Sequence, residues 1–169
     1  MKNIKTIVYD YGGVISKKQN KKLVYKMCNI LNIPEQQFFS FYGQERKDYD
    51  SALIDAKTYW IKTIKLIGGQ IKSKDIDRLI EFDAKSWLDI NKETIEYIKS
   101  IQGKIKLALL SNMTFDVLEK IKTLYWIHYF DSKIFSCEEK VAKPDEKIYE
   151  VCLKLSLIHI SEPTRLRRI

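Results

Sequence analysis

Three polar residues of this sequence have the types and positions that chemistry on a phosphate group would need. Asp10 follows a short apolar run and precedes a glycine pair, Ser111 follows the apolar run 105–110, and Lys143 lies in a loop before a proline. A carboxylate can attack phosphorus, while a hydroxyl with its adjacent backbone N–H and an ammonium can stabilise charge on the nonbridging oxygens. Convergence of the three groups would therefore suit phosphoryl transfer.

Each of these residues also has a purely structural interpretation. Asp10 could be a turn or capping residue, because Asp and Gly are common in tight turns. Ser111 could cap the helix that follows it, and Lys143 could be a surface lysine, which is the usual position of that residue type. Each of the three groups follows a different predicted strand, either at its end or in the loop after it. This order along the chain favours a common site.

The elements that must position these residues alternate between strands and helices. Outside one long helical segment, the patterns predict, in chain order, a strand at 4–10, a helix at 91–103, a strand at 105–110, a helix at 114–126, a strand at 133–136 and a helix from about 144. This alternation predicts parallel strands joined by right-handed crossovers. The fold class is therefore α/β, with a doubly wound parallel core that binds ligands beyond the carboxyl ends of its strands.

The long segment between the first two strands is helical in pattern throughout. Apolar residues recur at helical spacing through 23–87, with glycine, proline and capping residues between the periodic stretches. We therefore predict four amphipathic helices that form a small bundle inserted into the core. This division assigns 1–15 and 91–154 to the core and 16–90 to the insertion.

Residues 155–169 do not continue these patterns. Three of the five arginines of the chain fall here, whereas the rest of the sequence uses lysine almost exclusively. The segment resembles the in-frame translation of a transposon-based sequencing-library adapter, and we exclude it from the fold prediction as non-native. We accordingly expect the native sequence to end near Lys154, as an N-terminal fragment of a longer protein.

Composition argues against several classes of protein. The net charge is +8, but the lysines are dispersed, as on solvated helix faces, rather than gathered into a basic stripe typical of nucleic-acid binding. The three cysteines, Cys28, Cys137 and Cys152, lack metal-ligand spacing and do not form a disulfide framework. No apolar run has the length of a secretory or membrane-spanning segment, so we expect a cytoplasmic protein. We therefore expect no nucleic-acid or membrane partner, although binding of nucleic acid or an anionic surface through the +8 charge is a rival interpretation.

The motifs around the three polar residues resemble those of the haloacid dehalogenase-like (HAD) hydrolase superfamily. The run 7–15 (IVYDYGGVI) is similar to its first motif, 109–112 (LLSN) to its second and 141–145 (VAKPD) to its third, with further likeness through 130–149. The resemblance covers residues 4 to about 154. It implies a Rossmann-like core and identifies the helical insertion with the helical cap domain of that family.

The resemblance implies a Mg²⁺-dependent phosphomonoester hydrolase that works through an aspartyl-phosphate. Asp10 would be the nucleophile, and it would bind Mg²⁺ together with the backbone carbonyl of Gly12. Ser111 would hydrogen-bond the phosphoryl group, and Lys143 would neutralise its charge and steady the nucleophile.

Three further implications concern the ligand. Gly12, Gly13 and Asn112 would line the phosphate-binding position. The substrate would be a small phosphorylated molecule, and the cap would close over it, exclude water and select the leaving group.

Two departures from the family pattern point to an alternative. Gly12 stands where many family phosphatases carry a second Asp as general acid and base, although the D-x-G-G-V form resembles a branch that includes sugar-phosphate phosphatases. An acidic pair that completes the Mg²⁺ site should lie about one βα unit, roughly 30 residues, beyond Lys143, and the sequence has none there. We therefore expect little or no activity from this chain, and the alternative is a non-catalytic HAD-like binding domain.

Overall fold

Three parallel strands form the sheet that carries the predicted reactive residues. The computed structural model describes residues 4–70 and 72–158. In spatial order the strands are β1 (Thr6–Tyr9), β2 (Lys106–Ser111) and β3 (Ser132–Phe135). Tyr9 lies opposite Leu109, and β2 continues in parallel register with β3, so the carboxyl ends of the strands share one edge. The predicted parallel α/β sheet is confirmed.

Helices make up most of the remaining chain. They are α1 (Lys21–Leu31), α2 (Glu35–Tyr42), α3 (Arg46–Asp50), α4 (Ala56–Ile67), α5 (Ser73–Ser86), α6 (Lys92–Ile101), α7 (Phe115–Ile121), α8 (Ser136–Glu139) and α9 (Glu146–Ile158). A 3₁₀ turn occupies Tyr125–Tyr129. Within the described part of the chain, no helix is long and apolar enough to cross a membrane.

Helices cover both faces of the sheet, as a doubly wound fold requires. Successive residues of a strand point to opposite faces. Leu107 and Leu109 of β2 pack into one apolar cluster with α6 and α7. Ala108 and Leu110 face the other side and pack with residues of β3 and α9. The doubly wound core predicted from the sequence is therefore confirmed.

The helix predicted over 114–126 is wrong in its length. Helix α7 ends at Ile121, the backbone at Leu124 is extended, and the chain re-enters a short 3₁₀ turn. That turn buries Trp126, whose ring stacks on Tyr11 with centroids 5.9 Å apart. Helical spacing carries no information about this long-range packing, which decides the path of the chain.

Helix α9 differs from the prediction at both ends. It begins at Glu146 rather than near Pro144, after the Asp145 side chain accepts a hydrogen bond from the Lys147 N–H at 3.1 Å. It continues to Ile158, so the expectation that residues beyond Lys154 lack helical structure is wrong for 155–158. Residues 159–169 lie outside the described part of the chain, as does the greater part of the adapter-like segment.

Five helices, α1–α5, occupy the segment 16–90, which the sequence predicts to hold four, and we call this segment the insert. The additional helix is α3, which is too short to show periodicity in the sequence. The insert has its own apolar cluster, separate from the clusters that pack on the sheet. Its largest fully buried side chains are Phe38, Tyr59 and Trp60.

Backbone hydrogen bonds join the two segments that connect the insert to the sheet. Ser16 and Ile90 form an isolated antiparallel bridge. The Lys17 N–H donates to the Asp89 carbonyl at 2.6 Å, and the Asn91 N–H donates to the Ile15 carbonyl at 2.8 Å. These contacts lie at the predicted junctions of core and insertion, whose assignment as separate domains stays a prediction.

A buried cationic side chain organises the polar interior of the insert. Arg46 Nε donates to Asp50 Oδ1 at 2.9 Å, and its Nη1 donates to Asp83 Oδ2 at 2.7 Å. Tyr42 donates to the other oxygen of Asp83, and the guanidinium lies over the rings of Tyr42 and Tyr49 at 4.7 and 5.1 Å. Each buried charge thus has a partner, which is the condition under which such groups are tolerated.

Replacing Asp83 by Ala will destabilise the chain strongly. The change leaves the Arg46 charge under-compensated and the Tyr42 hydroxyl without its acceptor, so we expect a loss of about 3–5 kcal/mol. The matched control is Asp75→Ala on the same helix, where an exposed ion pair with Arg78 contributes about 0–1 kcal/mol. Urea unfolding followed by tryptophan fluorescence measures both, and equal losses in the two variants would contradict the role assigned to the network.

Candidate active site

Asp10 stands immediately after β1, and both of its carboxylate oxygens are engaged. Oδ1 accepts from the Tyr11 N–H at 2.7 Å, and Oδ2 pairs with Lys143 Nζ at 2.7 Å. The Asp10 side chain is 44% exposed and that of Lys143 is 21% exposed, so the pair faces an open position. The two interpretations of Asp10 are compatible, because its side chain caps the turn through the Tyr11 N–H and also forms an ion pair with Lys143.

The turn after Asp10 depends on one of its two glycines. Gly13 has φ +76°, a conformation that side chains with a Cβ rarely adopt, whereas Gly12 has φ −65° and is not restricted by its backbone. A Cβ on Gly12 would lie 3.6 Å from Cζ3 of Trp87, and Tyr11 Oη donates to the Trp87 carbonyl at 2.7 Å. Trp87 of the insert therefore packs directly against this turn.

Asn112 fixes the loop that carries Lys143. Its Nδ2 donates to the Lys143 carbonyl at 3.0 Å, and its Oδ1 accepts from the Lys143 N–H at 2.7 Å. Lys143 Nζ also donates to the Leu110 carbonyl at the end of β2, at 3.2 Å. The predicted phosphate-binding role of Asn112 stays a prediction, but its side chain has a second role that the sequence did not reveal, which is to position Lys143.

Ser111 lies at the same edge of the sheet without touching the ion pair directly. The residue is buried, and its Oγ donates to the Asn112 carbonyl at 3.2 Å. In the turn after Asp10, at the end of the adjacent strand, the Gly13 N–H donates to Ser16 Oγ at 3.4 Å. The structure thus brings Asp10 and Lys143 into contact and places Ser111 on the neighbouring strand end.

Ser136 is a positioning residue that the sequence patterns did not single out. It is fully buried, donates through Oγ to the Asp50 carbonyl at 2.5 Å, and accepts from the Met113 N–H at 2.8 Å. It thereby ties the insert to the loop after β2. A small hydroxyl residue that ends a buried strand is the only signal of this role in the sequence.

A cavity of about 180 Å³ opens beside the turn, between the insert and the strand ends. Its walls come from both parts of the chain and are mostly apolar. The lining residues are Tyr11, Gly12, Tyr42, Arg46, Asp50, Trp87, Asn112, Met113, Thr114 and Val117. A second, more open cavity of about 410 Å³ shares Gly12 and Trp87 with the first.

The described cysteines do not supply a nucleophile to this site. Cys28, Cys137 and Cys152 are all buried free thiols. Burial raises the pKa of the Cys137 thiol to about 12, and it raises the pKa of the other two as well. Since only the thiolate is strongly nucleophilic, Asp10 is the better candidate.

The oxygen donors at the turn fit a magnesium ion that is shared with a phosphorylated ligand. Mg²⁺ keeps several waters and is bound by one or two carboxylates together with substrate phosphate. Asp10 would supply one carboxylate, and Gly12, which lines both cavities, would supply its backbone carbonyl. Within 4–70 and 72–158, no three His, Cys, Asp or Glu residues group to hold a metal.

The sequence of this chain matches a known protein family over the whole of the described part of the chain. The family model for haloacid dehalogenase-like hydrolases matches residues 4–158 of this chain. A comparison with curated proteins finds no match.

Several solved structures share the fold. A HAD family enzyme from Bacteroides thetaiotaomicron has a TM-score of 0.70 and 18% identity, covering 90% of this chain and 78% of that one. The same enzyme has been solved with magnesium and inorganic phosphate, at a TM-score of 0.66, 20% identity and the same coverage. A HAD-like family hydrolase from Porphyromonas gingivalis has a TM-score of 0.66 and 21% identity, covering 95% of this chain and 78% of that one.

The family model spans the strands, the turn after Asp10 and the Lys143 loop, and the solved structures share the arrangement of these elements. This chain belongs to the haloacid dehalogenase-like hydrolase family.

Proposed function

We propose that this chain is a phosphomonoester hydrolase in which Asp10 is the nucleophile. The observation that carries the proposal is the 2.7 Å pair between Asp10 Oδ2 and Lys143 Nζ at an open edge of the sheet. The pair holds a carboxylate and a cation where a phosphate group can meet both. The magnesium and phosphate complex of the Bacteroides enzyme supports phosphate as the recognised group.

The reaction would proceed in two steps. Asp10 attacks phosphorus and forms an aspartyl-phosphate, while the ester bond to the alcohol breaks and the departing oxygen takes a proton from water. Water then attacks the same phosphorus, which releases inorganic phosphate and restores the carboxylate. Lys143 offsets the charge of the phosphoryl oxygens, and the Ser111 hydroxyl can turn from the Asn112 carbonyl to donate to one of them.

Mg²⁺, when bound, would neutralise charge on the phosphoryl oxygens and so favour attack of a carboxylate on phosphorus. Asp10 and the Gly12 carbonyl would hold the ion. Because the described residues form no cluster of three or more His, Cys, Asp or Glu side chains, we expect weak metal binding and slow turnover. The substrate would be a small phosphorylated molecule that supplies further oxygen ligands itself.

The insert would act as a cap over this site. The proposal rests on its separate apolar cluster and on the two hydrogen-bonded connections at Ser16 and Ile90. It rests also on Trp87, Tyr42 and Arg46, which line the cavity from the insert side. We place the cap at 16–90 and the core at 1–15 and 91–154. Closure of the cap would exclude water and select the leaving group.

A binding function without turnover is the second candidate, and Gly12 favours it. Its position carries no carboxylate, and a Cβ there would lie in van der Waals contact with Trp87 Cζ3, at 3.6 Å. General acid and base catalysis contributes typically about 10²–10⁴ in rate, so its loss at this position would slow both steps. Binding of inorganic phosphate with Mg²⁺, but no release of phosphate from any ester, would support this candidate.

Asp10→Asn will abolish hydrolysis, because the amide cannot form the acyl phosphate. The assay is release of p-nitrophenol from p-nitrophenyl phosphate, with Mg²⁺ and with a chelator in its place. Asp77→Asn, an exposed carboxylate on α5, is the matched control and should behave as the original chain. Hydrolysis that survives Asp10→Asn would refute the proposed function.

Lys143→Met should lower kcat by about 10²–10³, as removal of one preorganised donor to a transition-state oxygen does. Asn112→Ala should lower it less, by about 10- to 100-fold, as loss of an orienting partner does. The kcat of the double variant should be no lower than that of Lys143→Met alone, because Asn112 acts through Lys143. Additive losses in steady-state kinetics would show that the two residues act independently.

A further inference from the structure

The cavity between the insert and the turn after Asp10 has one charged wall that the proposed chemistry does not use. That wall is formed by Arg46 and Asp50, with Asp83 behind them. Resting on the proposed function, we propose that this cavity selects phosphomonoesters of small alcohols that carry a hydrogen-bond donor, an ammonium or a hydroxyl, and that Asp50 receives this donor.

The charges of the wall are not balanced. One guanidinium faces two carboxylates, since Arg46 Nε is bonded to Asp50 and its Nη1 to Asp83. The Nε and Nη1 donors of Arg46 are therefore already occupied, and the rings of Tyr42, Tyr49 and Tyr59 lie within 5.7 Å of its guanidinium carbon. An anionic group on the substrate would therefore meet one guanidinium whose charge is already shared by two carboxylates.

Asp50 keeps an acceptor available to the cavity. Its Oδ1 accepts from Arg46, whereas Oδ2 receives no hydrogen bond from any described residue. The Asp50 side chain is 12% exposed, and the residue lines the cavity. Its backbone carbonyl accepts a hydrogen bond from Ser136 Oγ, and Asp50 lines the same cavity as Tyr11 and Gly12 of the turn.

The rest of the cavity limits the size and character of the leaving group. Its volume of about 180 Å³ is below the range of roughly 300–1,000 Å³ typical of drug-sized ligand sites. The aromatic rings of Tyr11, Tyr42 and Trp87 form much of its surface. A nucleoside would not fit, while a short amino or hydroxy alcohol would, and aromatic faces also favour a cation.

Burial raises the pKa of Asp50 and the nearby Asp83 carboxylate raises it further, while Arg46 lowers it. A hydroxyl can bond to either protonation state of Asp50, whereas an ammonium gains most from the carboxylate. Other polar groups packed around this wall include the Tyr42, Tyr49 and Tyr59 hydroxyls of the insert and Asp116 of α7, which accepts from Tyr49. Gln19 also belongs to this group, since its amide donates to Asp83 Oδ1, Tyr42 Oη and Ser86 Oγ.

Three esters of similar size test the proposal on the unmodified chain. They are O-phosphoethanolamine, which carries an ammonium, n-propyl phosphate, which carries a methyl group, and 2-phosphoglycolate, which carries a carboxylate. Binding is measured by titration calorimetry on the unmodified chain with a chelator in place of Mg²⁺, so that turnover does not interfere, and kcat/KM is measured on the same chain with Mg²⁺. We expect O-phosphoethanolamine to be preferred over n-propyl phosphate by about 10- to 100-fold, the value of a hydrogen bond to a charged group, and 2-phosphoglycolate to be last.

Asp50→Asn should remove most of the preference for O-phosphoethanolamine over n-propyl phosphate, because it should lower the affinity and kcat/KM mainly for O-phosphoethanolamine. Asp48→Asn, on the same helix but outside the cavity, is the control. Equal affinity for the three esters, no measurable binding of O-phosphoethanolamine, or tightest binding of 2-phosphoglycolate would overturn the inference. Failure of the proposed function would appear differently, as ester binding with the expected order but no hydrolysis that depends on Asp10.

Discussion

The ion pair between Asp10 and Lys143 is the interaction on which the site depends. It joins the end of the first strand to a loop far along the chain, and its 2.7 Å contact requires both segments to reach the same edge of the sheet. Three independent features secure that meeting. Parallel register aligns the strand ends, Asn112 clamps the Lys143 backbone, and the turn at Gly13 redirects the chain away from Asp10.

The apolar core supplies the rigidity that this contact needs. Strand β2 is buried on both faces, with Leu107 and Leu109 against one layer of helices and Ala108 and Leu110 against the other. A strand fixed on both sides cannot shift its register without moving every side chain to the wrong face. Ser111 is the last residue of this strand, so hydrophobic packing sets its position. Asn112 follows directly and is held in addition by its two hydrogen bonds to the Lys143 backbone.

The insert is held together by buried polar contacts as well as by apolar packing. Its apolar cluster surrounds a polar group in which Arg46 is bonded to Asp50 and Asp83, and Tyr42 completes the set. This group is the part of the insert that borders the cavity. The same contacts that keep Arg46 paired thus form one wall of the cavity beside the turn after Asp10. Under the proposed function, the stability of the insert and the choice of ligand would both depend on these side chains.

Sequence patterns were sufficient for the parts of the fold that follow local rules. The apolar runs that end at Asp10 and Ser111 predicted the strands, and the order of the motifs predicted the family. Contacts between distant side chains could not be predicted in this way. Hydrophobic periodicity does not report that Asn112 bonds to Lys143, that Ser136 holds Asp50, or that Trp126 stacks on Tyr11 and shortens a helix.

The most direct test of the account is detection of a phosphorylated Asp10. The chain would be mixed with a phosphomonoester and Mg²⁺, quenched in acid and reduced with borohydride, which converts an aspartyl-phosphate to homoserine. Peptide mass spectrometry should then find homoserine at position 10, in an amount that falls when Mg²⁺ is withheld. Hydrolysis of the ester with an unmodified Asp10, or with the modification at another residue, would contradict the central claim.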